Sequence, residues 1–189
     1  KLPIPIRHGL TVGEIAKMVV NKNWLNTHHP IKLHVIELEN WNTEAGYFNI
    51  PPSPNIPDYE TALIYNGLCL LEGTNISEGR GTEQPFRLFG APWIDGEDLT
   101  QKLNSLKLSG VKFEPITFTP EKSMKAKWPK YEKELCHGSK IIILDEDDMS
   151  PLTIGVEIIR SIYKLYPQKF KFLESNFIDK LYGSNRLRL

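Results

Sequence analysis

The sequence predicts an α/β or α+β fold, a mixed sheet with about four helices. Helix and strand signals interleave along the chain, which calls for layers of both. The continuous apolar run Lys140-Ile141-Ile142-Ile143-Leu144 has the length and composition of a buried strand. With 189 residues and 40% apolar content, the chain can build one full-sized core and is a little short for two. A single domain over residues 1–189 is therefore expected.

In chain order, Leu2-Pro3-Ile4-Pro5-Ile6 is extended by its prolines, and Arg7-His8-Gly9 follows as a polar turn. Thr11 with Glu14 three residues on forms a capping box, and Leu10 against Ile15 a hydrophobic staple, so a helix starts there. Arg7 and His8 precede that start, where a helix N-terminus can help hold an anion, although His8 reads first as a satisfied turn histidine. Residues Ile31 to Leu38 alternate as a strand. From Glu39 to Pro57 runs a long loop with Trp41, Tyr47 and Phe48, aromatics suited either to stack on a sugar ring or to cover a core edge.

A second helix spans about Asp58 to Asn66 and is stopped by Gly67. The apolar run Leu68 to Leu71 then delivers the chain to Glu72. A short strand at Phe86 to Phe89 comes next, followed by a helix capped by Asp95, lined by Leu99, Leu103 and Leu106 and ended by Gly110. Val111 to Glu114 alternates until Pro115 shifts the phase to Ile116 and Phe118, a bulge or an edge strand. Glu121 to Lys133 reads as an exposed lysine-rich loop. Ser150 and Pro151 open the last long helix, Leu152 to Tyr166, with Ile154, Ile158 and Ile162 on one face.

Composition excludes several functions. Net charge is zero and the pI is near 7, so the basic footprint of a nucleic-acid binder is missing. No apolar run approaches the roughly 20 residues of a membrane span. Cys69 and Cys136 form no zinc pattern, and one bridge or two free thiols both fit them. Asp145 to Asp148 lacks the glycine and spaced glutamate of a calcium loop, and neither a metal nor a cofactor is expected. Gly73 to Gly79 is one residue too long for a phosphate-binding loop, and Gln84 stands where a dinucleotide fingerprint needs its third glycine.

The chemistry concentrates in Leu71-Glu72-Gly73-Thr74-Asn75-Ile76-Ser77-Glu78-Gly79-Arg80-Gly81-Thr82. Two carboxylates, a guanidinium, an amide and hydroxyls between glycines suit a pocket wall equally with a solvated turn.

Six blocks carry a resemblance: Ile4-Pro5-Ile6-Arg7-His8-Gly9, Pro52-Ser53-Pro54-Asn55, Thr61-Ala62-Leu63-Ile64-Tyr65, Cys69-Leu70-Leu71-Glu72-Gly73-Thr74-Asn75, Gly79-Arg80-Gly81-Thr82 and Gly90-Ala91-Pro92-Trp93. In this order they resemble the C-terminal part of the NamZ/YbbC-like exo-β-N-acetylmuramidases, from Lys1 to about Gly183. The resemblance implies a glycosidase that removes terminal N-acetylmuramic acid from the non-reducing end of peptidoglycan fragments. It also implies an extracytoplasmic setting, secreted or periplasmic, and a cleft shared with a Rossmann-like N-terminal domain. That partner domain, whose Gly-Pro-Glu-His-Gly motif holds the family's proposed catalytic glutamate, has no counterpart in this reading, so the chain alone is expected to be inactive. Around Gly138 the likeness weakens, with Ser139-Lys140 and Asp145-Glu146 in place of the family's usual residues.

Glycosidases commonly use two carboxyl groups. Glu72 is the first candidate, since it ends a buried run and partial burial raises a carboxyl's pKa; a structural carboxylate fits it equally well. Glu78 reads as the more exposed. The lactyl carboxylate of N-acetylmuramic acid calls for a fork-shaped cation, Arg80 first and Arg7 second. Thr74, Asn75, Glu78, His8, Asn55 and Trp93 complete the substrate-binding set that the matching blocks suggest. The competing reading is a non-catalytic module that binds cell-wall sugar or another protein.

Overall fold

The computed structural model describes residues 3–40 and 50–188; Trp41, Tyr47 and Phe48 lie outside them. The chain divides into two units, Lys1–Phe48 and Asn49–Leu189, each described here by itself.

In the first unit, α1 runs Val12–Asn21 and starts where the capping box put it. The Thr11 hydroxyl accepts from Glu14 N at 3.2 Å, and the Glu14 carboxylate accepts from Thr11 N at 2.7 Å. Residues 31–38 are extended, yet they pair with no other strand among the described residues. Alternation marks which side chains want burial, but a strand also needs a neighbouring edge. Ile36 is accordingly 96% exposed.

The second unit holds α2 (Tyr59–Leu68), a 3-10 turn (Cys69–Gly73), β1 (Leu88–Ala91), α3 (Gly96–Ser105), β2 (Val111–Phe118), β3 (Cys136–Ile143), α4 (Pro151–Leu165), α5 (Phe177–Tyr182) and a short 3-10 turn at Asn185–Leu187. The sheet order is β1-β3-β2, antiparallel throughout, where a mixed sheet was the expectation. Helix α3 packs against β2 and β3, and α4 against α2 and α3. Helices packed beside an antiparallel sheet are the α+β form of the expected class.

Gly67 does not stop α2. It sits in the last turn, because a Cβ at Gly155 of α4 would stand 2.3 Å from the Gly67 carbonyl oxygen. Two backbones touch there, and only glycine permits it. The core beneath is Leu68, Leu70, Leu71, Phe89, Leu99, Leu103, Ile141, Ile154, Ile158 and Ile162.

Pro115 brings no bulge, since β2 pairs β3 without interruption from Val111↔Ile143 to Phe118↔Cys136. The change of phase is a change of face. Val111 and Phe113 join the main core, whereas Phe118 and Ile116 join Leu88 and Cys136 in a small cluster on the other side. β1 begins at Leu88 and not Phe86, because Phe86 has φ +63°, outside the strand region. β3 starts earlier than its apolar run, the polar Ser139 being buried with its hydroxyl accepting from Thr100 at 2.9 Å.

Both sheet edges are occupied. Asn104 of α3 gives its amide to Phe113 O and takes Phe113 N, each at 2.9 Å, along the outer edge of β2. On β1, Ser77 exchanges two backbone hydrogen bonds with Gly90, at 2.8 and 3.0 Å.

At the start of α4 the Ser150 hydroxyl meets the Thr153 hydroxyl and caps no amide. The acidic run before it is a turn in which Asp145 accepts from the amides of Asp147 and Asp148.

Candidate functional site

The polar loop is built as a rigid wall. Thr74 is fully buried; its hydroxyl donates to Leu71 O at 2.8 Å and accepts from Ile76 N at 3.1 Å. Asn75 spends its amide on Lys169 O and its carbonyl on Lys171 N, both at 2.8 Å. These two side chains brace the loop through those bonds. Gly79 and Gly81 take φ of +78° and +85°, so the backbone turns twice around Arg80.

Arg80 stands between both carboxylates. Its Nη2 donates to Glu72 Oε2 at 2.5 Å, and its Nε lies 3.6 Å from Glu78 Oε1. The guanidinium also lies over the Phe86 ring, 5.4 Å from the centroid. Phe86 is held in its left-handed conformation by its N–H donating to Glu78 O at 2.6 Å. A bulky residue there is strained by about 1–3 kcal/mol. The loop accepts that strain to seat the ring under the cation.

Burial is the reverse of the expectation for the two acids. The Glu78 side chain is 5% exposed and that of Glu72 is 13%. The reason is Lys130, whose ammonium donates to Leu71 O, Ile76 O and Glu78 Oε2 at 2.8–2.9 Å. A buried carboxylate needs such a partner. Sequence reasoning placed Lys130 in a solvated loop, and nothing in the spacing of Lys122, Lys125, Lys127, Lys130 and Lys133 distinguishes it.

The cluster thus balances two acids with two cations. Burial pushes the Glu72 carboxyl above its ordinary pKa, Arg80 and Lys130 pull it down, and the nearby Glu78 charge raises it further. A carboxyl shifted upward and still reached by solvent is suited to proton exchange. Arg80 is 35% exposed, and its Nη1 has no hydrogen-bond partner among the described residues. That edge of the fork remains available to an anion.

The other expected residues separate from this cluster. Asn55 donates its amide to Lys125 O at 2.9 Å and fixes the loop bordering Arg80. Trp93 donates to the Tyr131 hydroxyl at 3.1 Å, which in turn donates to Asn75 O at 2.7 Å. Trp93 lines a different recess, about 810 Å³, with Asp95, His137, Tyr166 and Lys169. Arg7, exposed, and His8 belong to the first unit, where His8 Nδ1 accepts from Leu10 N at 3.0 Å. The α1 N-terminus next to them already holds the Glu14 carboxylate, which the Thr11 amide keeps below its usual pKa, so an anion site there is occupied from within. Cys69 and Cys136 are free thiols. Among the described residues no three His, Cys, Asp or Glu side chains converge on a possible metal position.

Paired carboxyl groups are the working groups of most glycoside hydrolases. The model for the C-terminal region of exo-beta-N-acetylmuramidase NamZ matches residues 63–189, and that for its N-terminal region matches residues 1–60. The chain belongs to this muramidase family. It is 38% identical to the peptidoglycan beta-N-acetylmuramidase NamZ of Bacillus subtilis strain 168, over 98% of this chain and 44% of that protein. Two crystal structures of DUF1343 family proteins from Bacteroides fragilis NCTC 9343 are similar. One is 29% identical with a TM-score of 0.83, covering 100% of this chain and 50% of that one. The other is 31% identical with a TM-score of 0.69, covering 99% and 48%. The chain spans about half the length of these relatives.

Proposed function

We propose that this chain is the substrate-recognition half of an exo-acting β-N-acetylmuramidase, which hydrolyses terminal N-acetylmuramic acid from the non-reducing end of peptidoglycan fragments. The observation that carries the reading is the Glu72–Arg80 pair: a partly exposed carboxyl with a raised pKa, next to a guanidinium with one open edge. The name of the Bacillus subtilis relative supports the substrate class.

In this reading Arg80 Nη1 receives the lactyl carboxylate, and Glu72 faces the scissile bond as one of the two carboxyl groups. Thr74, Asn75, Glu78 and Lys130 hold those two in place. Asn55 holds the loop bordering Arg80, Trp93 lines a separate recess, and the second acid comes from an upstream N-terminal domain, with Arg7 and His8 nearer to it in sequence. The setting is extracytoplasmic, in cell-wall recycling.

A protein of the relatives' full length should hydrolyse a chromogenic N-acetylmuramide, and the 189-residue chain alone should not. Absence of turnover by the longer protein overturns the reading. The second reading, a non-catalytic sugar-binding module, is favoured by the existing Arg80 bond to Glu72, which leaves that carboxylate partly occupied.

A further inference from the structure

Beside Arg80 lies a smaller recess, about 260 Å³, lined by Arg80, Lys125, Lys127, Trp128 and Pro129. Trp128 is 86% exposed and Met124 on the same loop 97%. Large apolar side chains are rarely left so bare without a binding role when they stand together. The loop presenting them is fixed. Ser123 N donates to Ala126 O at 2.9 Å, Ala126 N to the Ser123 hydroxyl at 3.1 Å, and Glu121 N to Gly81 O at 2.9 Å. Asn55 holds the Lys125 carbonyl, and Ala126 and Pro129 are buried beneath. A surface already ordered loses little entropy when it binds.

Charge indicates what it would bind. Glu72 and Glu78 offset Arg80 and Lys130, so that cluster offers an incoming carboxylate little net attraction. Lys125 and Lys127 line the recess, and their ammonium groups have no partner among the described residues. They add the missing positive charge at close range.

Building on the muramidase reading, we infer that Trp128, Lys125 and Lys127 form with Arg80 the subsite that selects an anionic sugar. The pyranose face lies on the Trp128 ring, and the carboxylate reaches Arg80 Nη1 with the two lysines around it. The volume, below the roughly 300–1,000 Å³ of drug-sized pockets, suits one sugar ring. Trp128 is therefore a ring-binding residue and the two lysines determine specificity, since neutral hexosamines lose the lysine contribution.

The test is calorimetric titration of the 189-residue chain with N-acetylmuramic acid, its lactyl methyl ester and N-acetylglucosamine. Trp128→Ala should weaken all three by about tenfold, the ring contact being common to them. Lys125→Gln with Lys127→Gln should weaken only the free acid and narrow its advantage over its ester, the Arg80 contact remaining. Both variants should melt as the parent does, since the side chains are exposed. Free-acid binding that neither variant changes overturns the subsite while leaving the muramidase reading intact. No measurable binding of the free acid to the parent chain overturns it as well; turnover by the longer protein decides the muramidase reading separately.

Discussion

Arg80 Nη2 donates to Glu72 Oε2 at 2.5 Å, yet the Glu72 carboxyl keeps a pKa above its ordinary value, because burial outweighs the cation beside it. In the proposed function this pair would combine a proton-carrying group with an anion-holding one. In a protein of the relatives' full length, Arg80→Lys keeps the charge and loses the planar fork. Charge-assisted hydrogen bonds are worth roughly 1.5–3 kcal/mol, so kcat/KM on an N-acetylmuramide should fall by about one to two orders of magnitude. A substrate without the lactyl carboxylate, already poor, should be nearly indifferent. An equal loss on both substrates together with a lower Tm would make Arg80 only a clasp for its loop.

The raised pKa of Glu72 has a thermodynamic sign. Between its unfolded value near 4.5 and its higher folded value, the native state binds more protons than the unfolded one, so stability falls as pH rises through that window. Glu72→Gln removes this dependence. Urea titrations at several pH values should show wild type losing stability relative to Glu72→Gln as pH rises through that window, and the two differing by a constant below it and by another above it. A difference independent of pH would contradict the assignment.

Lys130 donates to the Glu78 carboxylate at 2.8 Å while also satisfying two carbonyls. Lys130→Met leaves the buried Glu78 carboxylate with only the longer Arg80 pairing, and losing one member of such a pair costs about 3 kcal/mol. The urea midpoint should drop at constant slope. Adding Glu78→Gln should recover part of the loss, a coupling that a double-mutant cycle measures directly.

Gly155→Ala would place a methyl 2.3 Å from the Gly67 carbonyl oxygen. The two helices must then separate, and overpacking of this kind costs about 1–3 kcal/mol. A lowered Tm is expected in thermal melts. An unchanged Tm would show that α2 and α4 do not meet this closely in solution.

Burial holds the Cys69 thiol up to about 11 and the Cys136 thiol up to about 12. The thiolate is the reactive form, so native protein at pH 8 should react with a thiol reagent far more slowly than unfolded protein. Mass spectrometry after alkylation in denaturant should find both cysteines free. Recovery of a bridged peptide would contradict this.

How much could be read beforehand depended on the range of the cause. The start of α1 was legible because a capping box is complete within four residues, and the Ile154, Ile158 and Ile162 stripe because a helix repeats itself. Gly67 was misread as a stop, since its true reason is Gly155, far along the chain and invisible to local rules. The same distance hid Lys130 from Glu78, and with it the order of burial of the two acids. Residues 31–38 show the converse: the pattern of a strand is local, but its partner is not. For the site, the sequence located the loop and its charges; their pairing required the fold.

Asn104 and Ser77 have a bearing on how copies of this chain can meet. A bare strand edge is an invitation to a second sheet, which extends it by main-chain bonds alone. Here an amide side chain occupies the Phe113 position on one margin, and a loop residue occupies Gly90 on the other. Neither margin offers a continuous row for a foreign strand to zip onto. If this second unit self-associates, the seam must be written in side chains, where sequence can choose the partner.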